Sequence, residues 1–138
     1  MPIATTNPAT GETVRTFEEL TAEELEARLA KAAATFVTYR RTALSQRAQW
    51  LNAAADILEA EANEIGAVMT TEMGKTLAAA KAEVLKCAKS ARYYAENAEG
   101  FLADEPIDDP GVVSASQAYT RWQPLGPVLA VMPWNFPL

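Results

Sequence analysis

The segment VLAVMPWNFPL, residues 128–138, decides how the whole chain is read. Residues 128–132 are apolar on both faces of any strand they could form, the pattern of a parallel strand covered by helices on both sides. The run stops at Pro133. Trp134-Asn135-Phe136-Pro137 then stands where open α/β sheets bind ligands, beyond a strand's carboxyl end. An asparagine flanked by aromatic residues and stiffened by prolines offers neutral N–H donors in an apolar setting, which suits an anionic intermediate better than a cation. The plainer role for Asn135 is to satisfy a tight, proline-flanked turn. A two-faced apolar strand needs parallel neighbours, and no earlier segment offers a comparable one, so the sequence reads as breaking off at a binding site.

Composition bounds the possibilities. The 138 residues are 49% hydrophobic and 22% charged, enough for one domain with a core and unlike a disordered chain. The net charge of −6 without a basic cluster gives no footprint for nucleic acid or anionic lipid. Apolar runs fall far short of the ~18 residues that span a bilayer, and MPIATTNPATGE lacks the pattern of a signal peptide, so a cytoplasmic protein is expected. One cysteine, Cys87, and no histidine exclude an internal disulfide, a multi-cysteine metal site and a Ser/His or Cys/His nucleophile within the chain.

Upstream, NPATGE supplies a turn ahead of a short edge strand at residues 14–17. Thr21 and Glu24 have capping-box spacing and open an amphipathic helix that reaches Tyr39. Ser45 is expected to open a second helix, with Trp50, Leu51, Ala54, Ile57 and Leu58 facing inward. A third covers residues 65–73 and closes on Gly74. Thr76 caps a fourth whose inner face runs Leu77, Ala80, Val84, Ala88, Ala91, Tyr94, Ala98 and Phe101, small enough that something packs close. ADEPIDDPG ends the helical pattern. Residues 112–123 read as a strand of mixed exposure, and residues 124–127 as a turn.

These residues carry a resemblance. MPWNFPL looks like the signature of the aldehyde dehydrogenase superfamily, and NPATGE, EMGK, YYAENAE and RWQPLGPVLAVMPWNFPL follow in the order of its N-terminal region. Among its branches the likeness is greatest to short bacterial succinate-semialdehyde dehydrogenases. The resemblance implies an α/β fold and an N-terminal piece of a subunit several times longer. It divides into a helical part of the cofactor domain at residues 1–111, an oligomerisation strand segment at 112–127, and the first Rossmann-like strand with its active-site loop at 128–138.

The implied chemistry is NADP- or NAD-dependent oxidation of an aldehyde, succinate semialdehyde above others, in a homo-oligomer. In such enzymes a cysteine thiolate attacks the aldehyde, an asparagine side chain and a backbone N–H hold the oxyanion, hydride passes to the cofactor, and a glutamate activates water. Asn135 matches that asparagine. Trp134 and Asn135 match the cofactor-touching loop, and Phe136 the start of the substrate tunnel wall. The nucleophile, base, glycine-rich turn and ribose-side lysine belong to later sequence, so this piece alone is expected to be inactive.

Cys87 lies within a helix with no base arranged beside it and reads as structural despite Lys86 and Lys89. Tyr93 and Tyr94 read as packing residues, one of which could border the tunnel. Glu18, Glu19, Glu23, Glu24 and Glu26 mark a helix start and its solvated face. The alternative function is a freestanding, non-catalytic helical interaction module derived from such an enzyme.

Overall fold

Small residues on the longest helix set the architecture. A computed structural model describes residues 3–138. The elements run β1 (Ile3–Thr6), β2 (Thr13–Phe17), α1 (Ala22–Tyr39), α2 (Leu44–Ala60), α3 (Ala62–Met73), α4 (Leu77–Phe101), β3 (Glu105–Pro106) and β4 (Tyr119–Thr120). On α4 the side chains of Ala80, Val84 and Ala88 are fully buried. Their short side chains let α2 and α3 approach, and the core that Ala80 and Val84 form with Ala62 and Met69 is edged by Leu58 and Ile65. A Cβ on Gly66 of α3 would stand 3.3 Å from the backbone nitrogen of Lys81, a measure of how close α3 and α4 lie.

Helix starts and stops follow local chemistry. The Glu24 N–H donates to Thr21 Oγ1 at 3.1 Å while the Thr21 N–H donates to Glu24 Oε2 at 2.9 Å, completing the expected capping box. The Thr21 N–H foremost, and then the Thr21 hydroxyl, which donates to the same Oε2 at 3.0 Å, hold the Glu24 carboxyl below its ordinary pKa. Thr76 caps α4 by accepting from the Ala79 N–H. Ser45 does not cap α2: the helix begins one residue earlier, after Ala43, without a side-chain cap bond. The third helix starts at Ala62 rather than residue 65, because α2 and α3 are separated only by Glu61.

The inner face of α2 differs from expectation as well. Ala55 is fully buried, whereas Trp50, Leu51 and Ile57 are exposed and Ala54 is on the solvent side. A close α2–α4 contact selects the smallest side chain, and Trp50 instead stacks on Tyr39 with ring centroids 6.0 Å apart. Leu77, Tyr94 and Phe101 are also exposed, since the fully covered part of α4 runs only from Ala80 to Ala88. Arg92 of α4 binds Asp56 and Glu59 of α2, each at 2.7 Å, and its guanidinium lowers the Glu59 pKa.

Among the described residues, sheet structure is confined to two antiparallel pairs, β1 with β2 and β3 with β4. The edge strand expected at residues 14–17 is present as β2. The strand expected over residues 112–123 is largely replaced: Pro110–Val113 forms a 3-10 turn capped by Asp109, and only Tyr119–Thr120 joins a ladder. Pro110 has no N–H to give a ladder, and Ser114 turns left-handed at φ 56°, which breaks the extended run. Residues 128–132 carry no ladder either. Val128, Leu129 and Val131 are more than 80% exposed, because a buried parallel strand forms only between neighbours that the described residues do not supply.

Arg121 holds the β3–β4 hairpin by donating from Nε to Asp104 Oδ1 at 2.8 Å, and this guanidinium depresses the Asp104 pKa. The folded state therefore binds this proton less readily than the unfolded one. The pair's contribution is complete above the ordinary value of 3.8 and is lost as pH falls below it. Protection of the Ile107 amide, which donates to Ala118 O, measured against an unstructured peptide at the same pH, should fall below that pH in the wild type. In Asp104→Asn that pH-dependent loss of protection should be absent.

Candidate active-site loop

Gly74 makes the loop's seat possible. It leaves α3 at φ 76°, a left-handed conformation that glycine adopts freely, and a Cβ there would stand 3.1 Å from Pro8 Cγ. The chain reverses at once into α4, and Lys75 is left in the angle between the two helices. Its ammonium pairs with Glu83, donates to the main-chain carbonyl of Asn135 at 2.9 Å, and lies 4.0 Å from the centre of the Phe136 ring. Glu83, 6% exposed on the small-residue face of α4, also accepts from the Leu138 N–H at 3.3 Å. One buried ion pair thus grips residues 135–138 at two points. Removing either partner alone would strand a buried charge, at a cost of about 3–5 kcal/mol.

Within the loop, the Phe136 N–H donates to Pro133 O at 3.2 Å, closing a turn between the two prolines. Trp134 is 75% and Phe136 55% exposed, and Asn135 is exposed between them. Lys75 takes the main-chain carbonyl of Asn135, and the Asn135 side-chain amide has no partner among the described residues. Trp134, Pro137 and Leu138 close one side of a cleft of about 400 Å³ whose other wall is Ile65, Met69 and Met73 of α3. The three residues singled out in the sequence therefore share one anchored turn that presents a free amide and two aromatic faces.

Lys75 and Glu83 were not anticipated. The signal was present in EMGK and in an acidic residue set among the small residues of α4, eight positions after a lysine. Cys87 is half-buried, and its thiol faces the Leu138 carbonyl at 3.7 Å, with no base beside it. Tyr93 and Tyr94 are exposed and meet edge to face at 5.5 Å. Among the described residues no cluster of His, Cys, Asp or Glu could hold a metal ion, and no helix is long and apolar enough to cross a membrane.

A model of the aldehyde dehydrogenase family matches residues 1–138. The chain belongs to the aldehyde dehydrogenase family. Succinate-semialdehyde dehydrogenase [NADP(+)] 1 of Mycobacterium tuberculosis is 66% identical over 138 residues, all of this chain and 30% of that protein. Succinate-semialdehyde dehydrogenase [NADP(+)] of Mycobacterium avium is 65% identical, over 100% of this chain and 29% of its own length. This aldehyde dehydrogenase chain thus spans about 30% of the relatives it matches.

Solved aldehyde dehydrogenase structures share the fold. The succinic semialdehyde dehydrogenase of Streptococcus pyogenes, in complex with NADP+, superposes with a TM-score of 0.76 at 32% identity, over 85% of this chain and 25% of that one. The NADP-dependent glyceraldehyde-3-phosphate dehydrogenase of Bacillus halodurans, complexed with NADP, gives 0.87 at 27% identity, over 99% and 29%. The mixed helical architecture with few strands is that of the N-terminal part of the aldehyde dehydrogenase fold.

Proposed function

We propose that the chain is the N-terminal part of a cytoplasmic, homo-oligomeric dehydrogenase that oxidises succinate semialdehyde to succinate. The observation that carries this reading is 66% identity along the whole chain to enzymes named for that substrate. NADP is favoured over NAD because those relatives are named for NADP(+).

The residues present fit a nicotinamide cofactor. Trp134 and Asn135 are exposed on the turn, and they would border the cofactor. When bound, it supplies the hydride acceptor. The free amide of Asn135 would donate to the oxygen that gains negative charge as a thiolate attacks the aldehyde, and Phe136 would begin the wall that keeps water from the substrate. The thiolate and the base would come from residues outside this chain.

Substrate choice tests the assignment in the longer enzyme that carries this sequence. Butanal has the same number of carbons as succinate semialdehyde without its carboxylate. A site built for that carboxylate would be left with unpaired polar groups by butanal, so kcat/KM should fall by about 10²-fold or more. Equal values for the two aldehydes would contradict the substrate class.

A further inference from the structure

We infer that Lys75 and Glu83 are positioning residues, which fix the orientation of Asn135 by gripping the main chain of its loop from both sides. Nothing in the overall packing requires a charged pair at this place: the core beside it is Ala62, Met69, Ala80 and Val84. Yet the pair is largely covered, with Lys75 13% and Glu83 5% exposed at the side chain. Its remaining hydrogen-bonding capacity goes to the loop, from Lys75 Nζ to Asn135 O and from the Leu138 N–H to Glu83 Oε1.

The division of labour follows from the donors. The bond to the Asn135 carbonyl fixes the backbone without using the side-chain amide, while the ammonium under the Phe136 ring limits rotation of the turn. An oxyanion donor is effective when it is held in place before charge develops, so a clamp on its backbone serves the reaction without touching substrate. The pair therefore acts through Asn135, and the kinetic arm of the test rests on the reading of Asn135 as that donor.

Lys75→Met/Glu83→Gln removes both charges together, strands neither, and keeps an acceptor for Leu138. In the 138-residue chain the Phe136 amide should exchange with solvent about tenfold faster, through loss of the charge-assisted bond from Lys75 to the Asn135 carbonyl, while Val84 and Ala88 on α4 stay protected. Unchanged exchange at the loop would overturn the clamp. Loss of α4 protection together with the loop's would overturn it too, by making the pair a determinant of the whole fold.

In the longer enzyme the same double variant should lower kcat about tenfold with KM little changed, and should cost nothing further when added to Asn135→Ala. Additive losses would show that the pair does not act through Asn135. The exchange measurement is independent of chemistry, so a failed oxyanion assignment and a failed clamp give different results.

Discussion

Asn135→Ala, made in the longer enzyme that carries this sequence, should lower kcat and kcat/KM together by ~10²–10³, or about 3–4 kcal/mol of transition-state stabilisation. The reason lies in how the residue is held. Its carbonyl is occupied by Lys75, so truncating the side chain leaves the turn anchored while removing the free N–H donors. Substrate binding in the ground state should change little, because a neutral aldehyde oxygen gains less from an amide than an oxyanion does. Asn135→Asp should be worse, since an ionised carboxylate offers no donor and opposes the developing charge. Cofactor affinity, followed by fluorescence, should stay near the wild-type value in both. A near-normal kcat for a folded Asn135→Ala enzyme would reduce this residue to a turn asparagine.

The second large effect is an absence. Incubated with succinate semialdehyde and NADP or NAD, the 138-residue chain should form no reduced cofactor above a blank. Its one thiol, Cys87, points at the Leu138 carbonyl from within α4, and no histidine exists to deprotonate it. Turnover that disappears in Cys87→Ser would make this thiol a nucleophile and overturn the division of roles between this chain and the rest of the enzyme.

What was legible in the sequence was what local chemistry decides. Thr21 with Glu24, Gly74 after α3, and Thr76 before α4 each satisfy backbone groups within a few residues, and each stands where their spacing placed it. The small-residue face of α4 was legible for the same reason, as a single helix period, and Ala80, Val84 and Ala88 are its buried centre. The face of α2 was not, because size rather than hydrophobicity chose Ala55 over Trp50 at the α4 contact. After residue 111 only Tyr119–Thr120 joins a ladder here, because ladders depend on partners distant in sequence, and β propensity alone supplies none.

Of the loop, the trio Trp134, Asn135 and Phe136 could be read from residue type and position. Its anchor could not: Lys75 and Glu83 are 60 and 52 residues before Asn135, and only the return of residues 135–138 to the start of α4 brings them together.

The central claim is that the Asn135 amide, held from behind by Lys75, meets the oxygen of the reacting aldehyde. A crystal structure of the longer enzyme with an aldehyde-derived adduct on its nucleophile tests this most directly. Asn135 Nδ2 should lie about 2.7–3.1 Å from the adduct oxygen, with Lys75 still on the Asn135 carbonyl. An adduct oxygen held by other groups, with the Asn135 side chain turned away from it, would contradict the account.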